Sequence, residues 1–296
     1  MDPFGHLQAT GIDAAGRKQY LYHDRWRTHR DRLKFDSMIA FGRALPRLRR
    51  RVARDLKAHG DSDIDLAADQ LTHDRVLACA IRLLDVGFFR IGSEDYAQRN
   101  ESYGLTTMLR EHVTVEDHSI VFDFPAKSGQ RRVQEIVETD VRAVIAALKR
   151  RRSGNQLFAY RTNSGWSELH ADEVNDAIKR HAPGGFTAKD FRTWNATVLA
   201  AVALATDQPT SGRAGRERKV RQAIKTVAAY LGNTPAVCRA SYVDPRVIDR
   251  YNAGVTISNA LAGTPAAGPN LADAALRRRI ESAVLELLAD AGKPSR

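Results

Sequence analysis

Cysteine is almost absent from this 296-residue chain, which has only Cys79 and Cys238. Two thiols cannot build a disulfide framework, and no CxxC or clustered His/Cys pattern offers a zinc site. A reduced, cytoplasmic compartment is the simplest reading. No apolar run approaches the roughly 18 residues of a membrane-spanning helix. Residues 1–20 lack an apolar core behind a basic start, which excludes a secretory signal. GxxxxGK[ST] is missing, so ATP hydrolysis by a P-loop is excluded. There is no GxSxG and no paired acidic motif for a two-metal nuclease. What is present is a globular composition, 43% apolar and 27% charged. It carries an excess of basic side chains, 46 Lys and Arg against 35 Asp and Glu, for a net charge of +11. That balance favours an acidic-substrate enzyme or a nucleic-acid binder over a protein that binds cations.

The patterning predicts an α+β chain. His6–Thr10 and Arg17–His23 flank a turn-rich segment and read as a β-hairpin. A lone hairpin is marginal in water, so it must pack on something or belong to a larger sheet. Phe35–Lys57 has helical apolar spacing, with Pro46 set to kink or divide it. Asp61-Ser62-Asp63 reads as a break, and His73–Val86 as a second helix ended by Gly87. His112–Val115, Ser119–Phe124 and Arg131–Val137 read as three antiparallel strands, with Lys127 at the second hairpin tip. A helix from Thr139 ends in the basic run Lys149–Arg152, which suits its dipole. Thr187–Asp190 fits a capping box opening a helix with Phe191, Trp194, Val198 and Val202 inward. Gln208–Lys225 is strongly basic, and either a solvated face or a DNA-facing one. Thr234-Pro235 and Asp244-Pro245 each start a short helix, with Tyr242 late in the first. Gly254–Pro269 reads as a linker, and a last helix spans about 271–290. The expected division is 1–27 as a β remnant, 28–255 as the catalytic unit, and 256–296 as linker plus helix.

Metal-free phosphoryl transfer on DNA needs an in-line nucleophile, cations on the non-bridging oxygens and an acid for the leaving oxygen. Arginine suits the clamp because its fork donates two hydrogen bonds to a phosphate. A tyrosine nucleophile stores the phosphodiester as an ester, so resealing needs no external energy. Composition alone does not single out Arg90, Lys127, Arg192, Asn233 and Tyr242 from 46 basic residues and 8 tyrosines. Taken singly, Tyr242 reads as a core-edge aromatic, the arginines as surface or ion-pairing groups, Lys127 as a solvated turn residue and Cys238 as a core thiol.

Seven segments stand in order: GHLQATG (5–11), GRKQYLYH (16–23), FFRIGSEDY (88–96), ESYGLTTM (101–108), FPAKSGQ (124–130), TAKDFRTWNAT (187–197) and LGNTPAVCRASYVDP (231–245). Together they resemble type IB DNA topoisomerases of the small poxvirus-like and bacterial kind, from about His6 to Asp249. The resemblance implies that Tyr242 attacks the scissile phosphate to give a 3′-phosphotyrosyl link and a free 5′-hydroxyl. It implies that Arg90 and Arg192 clamp the non-bridging oxygens and that Lys127 protonates the departing 5′-oxygen. Asn233 would donate a further hydrogen bond. Many relatives have His there, and an amide donates without a titratable proton, so weaker pH dependence is expected at that position. Gln19, Tyr20 and Tyr22 of the hairpin, together with Tyr96 and Lys189, would contact double-stranded DNA. No metal, ATP or other cofactor is implied, and a monomer is expected. Relatives carry further strands ahead of GHLQATG, so either the native start lies upstream of Met1 or the protein binds DNA with a shortened clamp and weaker affinity; in both cases the chemistry is expected to be intact. A tyrosine site-specific recombinase, or a basic DNA-binding protein without catalysis, are the alternatives.

Overall fold

The structure, a computed structural model, describes residues 5–14, 16, 18–57, 66–206, 212–264 and 271–290, and of Tyr96 and Ser128 the backbone only. The expected break at Asp61-Ser62-Asp63, Arg17 of the hairpin, Gln208 and the end of the linker at Pro269 lie outside the described residues, as do residues 1–4.

The chain is α+β, as its patterning predicts. Strands β1 (Leu7–Ile12) and β2 (Lys18–Tyr22) pair antiparallel, with Thr10 opposite Tyr20. The hairpin leads into α1 (Asp24–Leu56), whose first turn is capped by the His23 ring accepting from Arg25 N–H at 3.1 Å. Pro46 does not divide this helix, which runs unbroken for 33 residues. An interior proline costs about 3 kcal/mol. Here the buried stripe of Phe41, Leu45, Leu48 and Val52 continues on both sides of it and offsets that cost.

Helix α2 (His73–Gly87) packs on α1. Gly87 is its last helical residue, not its left-handed terminator. That conformation falls on Phe88, with φ 56°. Glycine is needed at 87 for space, since a Cβ there would lie 2.3 Å from the Phe89 ring. An extended segment then leads to the short α3 (Glu94–Asn100), which apolar spacing had not revealed.

The three-stranded sheet is β3 (Val113–Val115), β4 (Ile120–Ala126) and β5 (Gln130–Ile136), in that spatial order. Along β4 the buried residues Ile120, Phe122, Phe124 and Ala126 alternate with more exposed ones, the period of a half-buried strand. Helix α4 (Thr139–Arg150) buries Val141, Val144, Ile145 and Leu148. Its basic end does more than meet the dipole: Lys149 donates to the Val113 carbonyl, Arg150 to Leu66 and Arg151 to Gln156. A hairpin of β6 (Ala159–Thr162) and β7 (Gly165–Glu168) and helix α5 (Ala171–His181) follow. The two strands are too short to show a period, and α5 offers only Val174, Ala177 and Ile178 as a buried apolar stripe.

The central helix is α6 (Ala188–Ala205), with Phe191, Trp194, Val198 and Val202 inward. The Asp190 carboxylate accepts from Thr187 N–H at 2.7 Å to start it. Helix α7 (Arg213–Leu231) packs along α6, and α8 (Pro235–Ser241) and α9 (Pro245–Asn252) start on Thr234 and Asp244 caps as expected. The last helix, α10 (Ala274–Asp290), packs on α1, α6 and α9 through Ile280, Val284 and Leu288.

A buried ion network joins α10 to the centre. Asp85 on α2 meets Arg49, Arg82 and Arg277, while Glu281 accepts from Arg49, Arg277 and the Trp194 indole. Burial alone would raise the Asp85 pKa, but the guanidiniums of Arg277, Arg49 and Arg82 outweigh it and hold the carboxyl well below the usual range. Its stabilising contribution is therefore full above the unfolded value of roughly 4 and is lost as pH falls toward the folded one. Asp85→Ala leaves three guanidiniums short of their shared partner, and should cost about 3–5 kcal/mol, read as a lowered urea midpoint at pH 7. A midpoint unchanged within error would mean that the network is dispensable.

Candidate active site

The end of α7 organises the site. The last carbonyls of a helix have no intrahelical donor and carry the negative end of its dipole. Here they collect three guanidiniums. Arg132 donates to the carbonyls of Tyr230 (3.0 Å) and Leu231 (3.2 Å), Arg192 to Leu231 (2.8 Å), and Arg90 to Gly232 (3.2 Å). Gly232 ends the helix at φ 62° and turns the chain so that Asn233 faces Arg90.

Arg90 sits on the extended segment after α2. That segment is fixed by Leu105 N–H donating to the Arg90 carbonyl and Thr106 N–H to Ile91, each at 2.8 Å. The approach is close: a Cβ on Gly104 would lie 2.4 Å from Gly92 backbone, so only glycine fits beneath Arg90. The guanidinium of Arg90 donates to Asn233 Oδ1 at 2.7 Å. This pins the amide oxygen and leaves Asn233 Nδ2 buried with no acceptor among the described residues. The donor expected at this position is thus available.

Arg192, in the second turn of α6, is 3% exposed. Its second anchor is the Phe88 carbonyl, turned toward it by the left-handed Phe88 cap. Two anchors fix the plane of the fork, and Nε is left without a partner among the described residues. Burial and the neighbouring Arg90 charge pull the guanidinium down to about 10, although the adjacent Tyr242 phenol works the other way. Arg132 is held at about 10 by burial and by Arg192 and Arg90. Both remain cationic at neutral pH, and neither forms an ion pair with a carboxylate among the described residues. A buried, mutually repelling cation cluster of this kind gains from any anion that enters it.

Tyr242 is the C-cap of α8 and half-buried. Its N–H donates to the Cys238 carbonyl at 2.9 Å, and its carbonyl accepts from the Thr197 hydroxyl of α6 at 3.3 Å. The Arg192 guanidinium lies 5.3 Å from its ring centroid. Cys238 is a core thiol, pushed up to about 11 by burial. Lys127 begins a tight 3-10 turn between β4 and β5, where it is exposed. Lys127 and Arg90 border one surface depression of about 260 Å³.

Contacts therefore link Tyr242 to Arg192 and Arg90 to Asn233, adjacent carbonyls at the end of α7 hold Arg192 and Arg90 near each other, and the shared depression brings in Lys127. The DNA-contact candidates form a second group. Gln19, Tyr20 and Tyr22 lie on β2, where the two tyrosine rings stack at 6.2 Å and Gln19 donates to Asp13 at 2.8 Å. Lys18 covers the Tyr20 ring and Arg30 of α1 the Tyr22 ring, each at 5.5 Å. Lys189 is exposed in the first turn of α6, and Tyr96 lies on α3. Arg132 was not foreseen. It neighbours Arg131 in sequence, but strand alternation sends Arg131 outward to Asp123 and Arg132 inward to the cluster. A two-residue period in so short a strand does not reveal which of two arginines is buried.

Residues 23–262 match the family model of the catalytic core of eukaryotic DNA topoisomerase I. DNA topoisomerase 1B of Acanthamoeba polyphaga mimivirus is 28% identical over 260 residues, covering 84% of this chain and 74% of its own. DNA topoisomerase 1B of Vaccinia virus (strain Copenhagen) is 22% identical over 243 residues, covering 81% and 70%. DNA topoisomerase 1 of Candida albicans is 29% identical over 153 residues, which is 49% of this chain but 18% of that protein.

Proposed function

The chain belongs to the type I DNA topoisomerases, in the type IB family of the small viral kind, and from that membership we propose that it relaxes supercoiled double-stranded DNA through a transient 3′-phosphotyrosyl bond, without ATP or metal. The phenol oxygen of Tyr242 attacks phosphorus while the bond to the 5′-oxygen breaks. The phenolic proton leaves to solvent, and Lys127 gives a proton to the departing 5′-oxygen. One phosphoester replaces another, so the step is close to balanced in energy and the 5′-hydroxyl can reverse it. Between the two steps the free end turns about the intact strand, driven by superhelical tension.

The observation that carries this reading is the cation cluster beside the phenol. Arg192 and Asn233 each keep a buried N–H without an acceptor among the described residues. Donors held in place before the reaction cost no reorganisation when charge develops on the non-bridging oxygens. Arg132 differs, because its donors are spent on Gly87, Tyr230, Leu231 and Gln134; it braces the cluster. The stacked Tyr20 and Tyr22, with Lys18 and Arg30, suit phosphate and base-edge contacts, and the protein acts as a monomer. The exposed Arg213, Arg218, Arg221 and Lys225 of α7 would add phosphate contacts.

The test is relaxation of a negatively supercoiled plasmid that carries no recombination site, in EDTA and without nucleotide. Relaxed topoisomers are expected. A plasmid that stays supercoiled while gel shifts show binding would contradict the reading.

A further inference from the structure

We propose that Lys34 of α1 is a positioning residue for the nucleophile, fixing the Tyr242 phenol for attack by holding the backbone just before it and covering its ring. This rests on Tyr242 being the nucleophile. The Lys34 ammonium donates to the carbonyl of Ser241, the residue that leads into Tyr242. It also lies 5.8 Å from the centroid of the Tyr242 ring, which Arg192 approaches at 5.3 Å. Two cations thus flank one aromatic ring, one from α1 and one from α6. A cation over an aromatic face is attracted to it more strongly when desolvated, and Lys34 is half-buried, with its ammonium also 4.6 Å from the Phe35 ring.

The remaining restraints on Tyr242 act on its backbone, through Cys238 and Thr197. The next residues are tied down as well: Arg246 bridges Asp244 to Asp36 on α1. Lys34 therefore joins Arg192 in contacting the side chain that must align with phosphorus, and it alone of the two also holds the Ser241 carbonyl. A small misplacement of a reacting group can cost about 100-fold in rate. Lys34 also lies one helical turn from Arg30, on the same face of α1. Arg30 covers Tyr22 of the hairpin, so one helix face touches both the DNA-contact candidate and the nucleophile.

The clamp needs the charged amine. The groups facing it are Arg30 and Asp31 on α1, Lys189 and Asp190 on α6, and Tyr242 at the end of α8. Burial, then the Lys189 charge, lower the Lys34 pKa to about 8; Asp31 and Asp190 oppose this. The ammonium is present below that value and lost above it.

The experiment measures covalent adduct formation on a suicide DNA substrate, in single turnover, for the full chain and for Lys34→Ala, Lys34→Met and Lys34→Arg. Non-covalent affinity is measured for the same changes in a Tyr242→Phe background. Lys34→Ala and Lys34→Met should slow the saturating cleavage rate about 10- to 100-fold with affinity and melting temperature nearly unchanged. Lys34→Arg should recover most of the rate at pH 7. The second-order rate of the unsubstituted protein, divided by that of Lys34→Arg, should be level below pH 8 and fall above it, since that rate reports the free enzyme. Two results overturn the proposal while leaving Tyr242 as nucleophile. One is Ala and Met variants that cleave within twofold of the unsubstituted protein. The other is a loss found wholly in affinity, which would make Lys34 a phosphate contact. Absence of any adduct with the unsubstituted protein would overturn the underlying reading along with it.

Discussion

Tyr242→Phe abolishes the covalent protein–DNA adduct and plasmid relaxation, and leaves non-covalent DNA binding intact. The change removes one oxygen, the one assigned to attack phosphorus. Apart from that oxygen's hydrogen bond with Arg192, what holds the residue is retained: the backbone bonds to Cys238 and Thr197, and the Arg192 and Lys34 cations beside the ring. Stability should therefore fall by no more than about 1.5 kcal/mol, the scale of a single hydrogen bond. The rate falls to background, because loss of a nucleophile costs on the order of a million-fold where no neighbour can replace it. Among the described residues no second tyrosine ring has the Arg192 guanidinium over it. Adduct detected by denaturing gel in the Phe variant would place the nucleophile elsewhere.

Lys127→Ala separates acid catalysis from clamping. A positioned general acid contributes about 100- to 10,000-fold, and cleavage of ordinary DNA should slow by that order. The slowing should largely vanish on a substrate with a 5′-bridging sulfur, because a thiolate leaves without a proton. The geometry suits this role better than a structural one. Lys127 is exposed at the tip of a tight turn and is not part of the core, so its removal leaves the fold intact. It borders the same depression as Arg90. Equal slowing on both substrates would remove Lys127 from the acid role.

The helical patterns were legible because they are long. The stripes of α1, α2, α6 and α10 repeat often enough to fix both the helix and its buried face. The Thr234-Pro235 and Asp244-Pro245 pairs gave helix starts from two residues each, because a cap followed by proline has little alternative use. The β6–β7 hairpin and α3 are too short to be legible, and α5, though 11 residues long, buries only Val174, Ala177 and Ile178. Gly87 misled for a physical reason: its lack of a side chain serves the Phe89 ring, and the left-handed turn falls on Phe88.

The site was legible only through motif order. No local pattern distinguishes Arg90 or Arg192 from other arginines, and their meeting point is a helix terminus far from both in sequence. No motif marks Arg132 or Lys34. Each acts through a backbone carbonyl of another element, Leu231 and Ser241, and a bond to a distant main chain leaves no trace in residue type.

The most direct measurement is to trap the adduct in EDTA on DNA labelled on either side of the nick, digest it with trypsin, and sequence the DNA-bearing peptide. The account predicts DNA joined through its 3′-phosphate to Tyr242, in the peptide spanning residues 240–246, with a free 5′-hydroxyl on the other fragment. Attachment through a 5′-phosphate, or to any other residue, would contradict it.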